Sequence, residues 1–267
     1  MWEALKDPAP GINMIQPAEN LAKQYGITRA KVDAFASCSF AKAVSAQERG
    51  FHAGEITPVI TEKFELAGYA PRGISLPSNV TEAALDNHAR ISPTEVLARL
   101  RPVYEGGVQT AGSSAALVDA AAASIVASGD YVNTWVKAQA KKPLARLIAA
   151  AAVGVPPEMM GIGRAPPIRL LLERTGLKLD DIGCFEINEA QGAKTLAVAK
   201  ELGLDMSKLN VNGGAIALGH PLAATGVRLT VTLARQMQLS GVRYGISSVC
   251  VGGGQGIALL LENPHYP

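Results

Sequence analysis

Apolar positions three and four residues apart run through Phe35, Phe40, Ala43 and Val44, and Thr28 ahead of them offers a side-chain oxygen to the first free amides of a helix. The spacing predicts a long helix capped by Thr28 and ending near Gly50, with that face buried. A shorter helix over 18–25 is opened by Pro17, whose missing N–H is no loss in a first turn, and closed by Gly26. Between 50 and 92 the period breaks: residues 56–60 suit a short strand, while Pro71, Gly73, Pro77 and Asn79 mark loop. Ser92-Pro93-Thr94-Glu95 has the form of a capping box, in which Glu95 reaches back to the Ser92 amide, and predicts a helix as far as 100. Residues 117–127 are alanine-rich and read as a helix buried on most sides, because small side chains let neighbours approach closely.

From there strand and helix patterns alternate. Strands are expected over 145–153, 182–187, around Val211, and over 244–249 and 256–261; helices over 166–175, with its arginines to solvent, 190–202 and 225–238. Such alternation predicts a sheet covered by helices, the α/β class.

Composition narrows the function. Of 267 residues 48% are hydrophobic, enough for a large core, and 25 basic against 23 acidic side chains leave +2, with no basic stripe to serve as a nucleic-acid footprint. The most apolar stretches, 111–127 and 144–155, fall short of the ~20 strongly apolar residues of a membrane span. No basic region followed by an apolar run opens the chain, so no secretory leader is expected and the location reads as cytoplasmic. Cys38, Cys184 and Cys250 are too few and too far apart for a disulfide framework or a paired-cysteine metal site.

Three segments can carry chemistry. Residues 212–221 place His220 between glycines 213, 214 and 219 and Pro221, a stiff loop able to present the imidazole to a developing oxyanion or to a nearby thiol; the competing reading is a structural histidine with satisfied partners. Cys250 stands where an apolar strand meets Gly252, Gly253 and Gly254, so its thiol can face a cavity and exchange protons near neutrality while the Gly252 amide points at an oxyanion. The alternative is a buried cysteine packed as a small hydrophobe. Asn188, between a strand end and a helix start, projects toward the crevice where open α/β sheets bind ligands. It could hold a water there as an oxyanion donor, or cap the helix. Glu189 reads as a loop support.

Taken together, residues 210–228, 250–256 and Asn188-Glu189-Ala190 resemble three signatures of the thiolase superfamily, in that family's order and separations. The front half is similar too, at Ala18-Glu19-Asn20, residues 25–29, 92–102 and Thr110-Ala111-Gly112. The resemblance implies an α/β thiolase-like fold of layered α-β-α-β-α form. Here it would comprise a loop domain (1–107), a remnant of the N-terminal half with a strand and the alanine-rich helix (108–143) and the C-terminal domain (144–267), the N-terminal half being largely absent. It further implies Cys250 as acid/base thiol with His220 beside it, Asn188 and His220 as one oxyanion hole and Gly252 as part of a second. Met14 would line the acyl pocket, and Ser113, Ser114 and Gly253 would meet substrate. The reaction would be thiolytic cleavage of a 3-ketoacyl-CoA or Claisen condensation of acyl-CoAs, with CoA as substrate and no resident cofactor or metal.

Where many relatives have Asn-Ala-Ser-Gly this chain has Ser113-Ser114-Ala115-Ala116; Gln191 replaces a phenylalanine, and Ala223 and Ala224 stand where glycine and a small polar residue are common. These changes bear on the acyl pocket. A thiolase also uses a second, acylated cysteine. Neither Cys38 nor Cys184 matches its motif, and residues 1–5 already resemble the opening of the loop domain. The nucleophile is therefore expected from a partner polypeptide or another segment, and the chain is expected to associate tightly as a homo- or hetero-oligomer. The alternative function is a non-catalytic acyl-CoA-binding or scaffold subunit. A retro-aldolase on the same fold, needing no acyl-cysteine, is a third reading.

Overall fold

A computed structural model describes residues 5–65, 67–70, 72–136, 138–139 and 142–267, so the resemblance noted at residues 1–4 and the loop expected at Pro71 lie outside it. The two front helices form as the sequence predicts. α1 (Gln16–Tyr25) has Pro17 in its first turn and ends on Gly26 in the left-handed conformation. In α2 (Arg29–Glu48) the Thr28 hydroxyl accepts from the Lys31 amide, and Val32, Ala36, Phe40 and Ala43 are buried. The following excursion holds two small antiparallel ladders, β1 (Val59–Ile60) with β4 (Glu82–Ala83) and β2 (Glu62–Phe64) with β3 (Arg72–Ile74). Gly73 therefore sits in a strand rather than in loop.

Two further expectations fail, each for a physical reason. α3 (Thr94–Leu97) is a single turn without the capping box: Pro93 occupies the N-cap, and the Ser92 hydroxyl turns back to the Arg90 carbonyl at 3.4 Å. Residues 117–127 are not a helix but irregular, exposed chain, with Ile125 at 95% and Val126 at 84% exposure. An alanine-rich stretch of that length is a marginal helix unless a neighbour buries one face, and none of the described residues does so for 119–127. One short turn, α4 (Gly129–Tyr131), follows.

The second half builds one four-stranded sheet, ordered β5 (Arg146–Gly154), β8 (Gln255–Glu262), β7 (Tyr244–Val251), β6 (Ile182–Ile187). β6 and β7 run parallel, and β8 is antiparallel to both its neighbours. Around Val211 there is no strand, only a single bridge between Leu209 and Phe185. Alternation sends successive side chains to opposite faces. Phe185, Ile187, Ile246 and Leu260 pack beneath α5 (Ala165–Thr175), together with Val198 of α6 (Gly192–Leu202). Cys184 and Leu261 face the other way, onto Leu233, Ala234 and Met237 of α8 (Thr225–Ser240). The described residues thus form three layers, α/β/α, about this sheet, with α1 laid against α6 and α2 against α7 (Ala215–Leu218). No helix among them is long and apolar enough to cross a membrane.

Candidate active site

Because β6 and β7 are parallel, their carboxyl ends open on one side, and the crevice there receives three of the expected residues. Asn188 follows β6 directly; its amide donates to the Ser248 carbonyl of β7 at 3.0 Å. It does not cap α6, which starts from Gln191. Cys250 lies near the end of β7, opposite Gly256. His220 arrives on the loop between α7 and α8, where its amide donates to the Ala116 carbonyl at 2.9 Å. Gly219 before it has φ +91°, and a Cβ there would lie 2.6 Å from Val118, so the close approach needs glycine. Asn188, His220, Cys250, Gly252, Met14 and Ser114 all line one cavity of about 370 Å³.

His220 is fixed at both ring nitrogens, Nε2 3.2 Å from Asn188 Nδ2 and Nδ1 2.7 Å from the Thr225 hydroxyl. That hydroxyl is also 2.9 Å from the Pro221 carbonyl, so its single proton sets the tautomer. Donated to Pro221, it leaves Nδ1–H facing Thr225 and Nε2 as acceptor. Donated to Nδ1, it would set Nε2–H against Asn188 Nδ2, itself a donor, so the bonds present fit the first tautomer and a donor at Nε2 requires the Asn188 amide to turn. Burial first, and then the charges of Arg228, Arg164 and Lys194, push the His220 pKa down to about 4, so the ring is neutral near pH 7.

Supports reach the site from every layer. Glu189 accepts from the Ser39 hydroxyl at 2.6 Å and from Asn210 Nδ2 at 2.7 Å, a structural support as the sequence suggested. Arg164, fully buried, donates to the Asn188 carbonyl, and its Nε donates to the Gly161 carbonyl at 3.1 Å. The turn over residues 5–14 is pinned by Asp7, whose carboxylate accepts from the Gly253 amide at 2.6 Å, and it sets Met14 3.0 Å from where a Gly252 side chain would begin. Glu19 accepts from the amides of Val108 and Gln109 at 2.9 and 2.8 Å and guides that segment toward Ser114.

Two of the expected substrate residues do not line the cavity. Gly253 spends its amide on Asp7, and the Ser113 hydroxyl is turned inward, accepting from the Thr110 amide at 2.9 Å. Only Ser114 of the serine pair reaches the cavity, its hydroxyl buried without a partner. Conversely, the sequence reading passed over Lys194 and Arg164. Lys194 is 1% exposed and lines the cavity, its Nζ donating to the Met14 carbonyl at 2.8 Å with the Met160 sulfur at 3.3 Å. Its position three and four residues before the buried Ala197 and Val198 was the available signal, a lysine on the apolar face of its helix.

The arrangement has close relatives. Residues 1–130 match the family model for the thiolase N-terminal domain and residues 141–263 that for the thiolase C-terminal domain. The first match corrects the expectation that the N-terminal domain is lacking: the front half of the chain carries its sequence. The chain is 40% identical over 265 residues to an acetyl-CoA acetyltransferase of Syntrophomonas wolfei, covering 98% of this chain and 63% of the relative. It is 42% identical over 258 residues to a beta-ketoadipyl-CoA thiolase of Acinetobacter baylyi, covering 93% and 59%. The crystal structure of the Bacillus anthracis acetyl-CoA acetyltransferase superimposes with a TM-score of 0.85 at 40% identity, over 98% of this chain and 62% of that one. The chain therefore spans a little under two thirds of the length of these proteins. Matched to both domain models along nearly all its residues, and to a solved relative through the α/β fold itself, the chain belongs to the thiolase family.

Proposed function

We propose that this chain carries the proton-transfer and oxyanion-binding side of a thiolase reaction, thiolytic cleavage of a 3-ketoacyl-CoA or the reverse condensation of two acyl-CoAs. The observation that carries it is the convergence of Asn188, His220 and Cys250 on one cavity whose wall is mostly apolar. Cys250 takes the α-proton of one thioester or returns it to the departing enolate; His220, once the Asn188 amide turns and the ring proton moves to Nε2, and a water held by Asn188 meet the oxyanion. The Gly252 amide serves a second oxyanion position, and Met14 and Ser114 contact the acyl-CoA. The names of the relatives, an acetyltransferase and a thiolase, support the same class.

Of the three cysteines only Cys250 lines the cavity. Cys38 is exposed, and Cys184 faces α8 with its thiol pushed up to about 12 by burial. We therefore place the acylated cysteine outside these 267 residues, on a companion polypeptide or another segment, in an oligomer. The division into 1–107, 108–143 and 144–267 belongs to the same proposal. The absence of a second cavity cysteine also favours one other reading, an acyl-CoA-binding subunit without turnover. Intact masses of the purified protein, native and denatured, separate the two. A companion species whose cysteine takes an acetyl group from acetyl-CoA, releasing CoA, supports the enzyme; a lone chain that binds acetyl-CoA and is never acylated leaves the binding subunit.

A further inference from the structure

Lys194 is a buried ammonium whose nearest ionisable partner among the described residues is the Cys250 thiol. No carboxylate of the described residues forms an ion pair with it, and of the three donors on its ammonium one goes to the Met14 carbonyl at 2.8 Å and another only to a thioether sulfur at 3.3 Å. Burying an unpaired ammonium is costly, and such groups are normally paired. The chain nevertheless packs against this one: a Cβ on Gly161 would lie 2.5 Å from the Lys194 side chain, so the lysine is held in place from above. Its neighbours on the cavity wall are short of partners as well. The Ser114 hydroxyl and the Gln191 side-chain oxygen are both buried and unbonded, and their backbones form a bridge that sets them side by side, one helical turn from Lys194.

The distances say what could fill the gap. The Met160 sulfur lies 3.3 Å from Lys194 Nζ and 3.9 Å from Cys250 Sγ, so the ammonium is one methionine sulfur away from the thiol. Met14, Met160 and Lys194 line the same cavity as Cys250, which leaves room for an acyl group with its reacting carbon at Cys250 to run past the methionines toward the ammonium. Building on the acyl-CoA reading, we propose that Lys194, with the Ser114 hydroxyl, forms a subsite for a carboxylate at the far end of the acyl group, and that the preferred substrates are short dicarboxylic half-thioesters of CoA. The ammonium pairs with the substrate carboxylate where no carboxylate of the described residues does, and the serine hydroxyl donates to the second carboxylate oxygen. Burial lowers the Lys194 pKa to about 8, which leaves the side chain protonated at neutral pH.

Calorimetric titration of the purified protein, with any companion polypeptide retained, against succinyl-CoA and butyryl-CoA tests this, since the two differ only by a carboxylate in place of a methyl group. Succinyl-CoA is expected to bind about tenfold more tightly, the scale of one charge-assisted contact, and in Lys194→Met the ratio falls to near one. Carbodiimide coupling of bound succinyl-CoA to the wild-type protein, with the amide mapped by peptide mass, should place the link at Lys194 and does not depend on the variant folding. Equal affinity for the two thioesters, a ratio unchanged in Lys194→Met, or an amide at another lysine overturns the subsite and leaves the acyl-CoA reading standing. If neither thioester binds more tightly than free CoA, the acyl-CoA reading fails and the subsite fails with it.

Discussion

Replacing Asn210 with alanine should damage the site from behind. Asn210 is 2% exposed; its Oδ1 accepts from the Ile187 amide at 2.8 Å, and its Nδ2 donates to the Ile187 carbonyl at 2.8 Å and to Glu189 Oε1 at 2.7 Å. Alanine removes all three bonds in a closed interior, although the Glu189 carboxylate keeps the Ser39 hydroxyl. At about 1 kcal/mol each after partial rescue by water, and about 1 kcal/mol more because Asn210 has φ +44° where alanine is disfavoured, the loss comes to about 4 kcal/mol. For a chain of this size that lowers the melting temperature by roughly 10 °C. Asn210→Gly removes the same bonds without the backbone penalty, so it should be about 1 kcal/mol more stable than the alanine variant. Urea denaturation of the three proteins measures both differences. An alanine variant within about 1 kcal/mol of wild type would refute the account of this bridge, and equal stability of the alanine and glycine variants would remove its backbone part.

Other outcomes follow from the same contacts. Gly256→Ala would put a Cβ 1.6 Å from the Gly163 carbonyl oxygen, backbone against backbone, so a loss of about 3 kcal/mol or more is expected in thermal unfolding; a melting point equal to wild type means the two segments are not in contact. His220 titrates at about 4 when folded and near 6.5 when unfolded, so between those values the unfolded chain holds more protons and the histidine's contribution falls as pH drops from 6.5 to 4. The stability difference between wild type and His220→Asn should therefore shrink by about 3 kcal/mol across that window; comparing the two proteins cancels Glu186, whose pKa is raised to about 8 by burial and shifts stability the opposite way. Under native iodoacetamide, Cys38 should be alkylated while Cys184, 4% exposed, stays free until the protein unfolds. Peptide masses showing both modified at one rate would mean that β6 and α8 do not cover Cys184.

What the sequence made legible is what local pattern encodes. α1 and α2 carry their own caps, and the strands at β5 to β8 carry enough apolar residues in a row to be seen without their partners. The capping box at Ser92 was lost to its own proline, whose φ suits the N-cap as well as the first turn. Residues 117–127 have helix-forming composition, but composition does not say whether a surface exists to receive them, and in this chain they lie open. Among the site residues, Asn188, His220, Cys250 and Gly252 stand beside turns or glycines that marked them. Lys194 and Arg164 sit among apolar neighbours, and their role depends on tertiary contacts that no local window contains.

Those two buried cations, with Arg228, also bear on how labour is divided in the cavity. All three charges act on His220 in the same direction as its burial, holding the imidazole neutral across the pH range in which a thiol can exchange protons. A ring that cannot hold a second proton is a poor shuttle but a good donor of one hydrogen bond, as oxyanion stabilisation requires. Proton transfer then falls to Cys250, the one thiol on the wall, whose Sγ lies 3.9 Å from Met160 Sδ. With the Thr225 hydroxyl donating to Pro221 and Asn188 Nδ2 donating at Nε2, the resting ring carries its proton on Nδ1, and Nε2 turns donor only when Thr225 donates to Nδ1 and the Asn188 amide swings away. Under the proposed function, Thr225→Val should lower turnover with little change in thioester binding, because a valine of nearly the same shape keeps the cavity wall while His220 loses the hydroxyl that fixes its Nδ1 side.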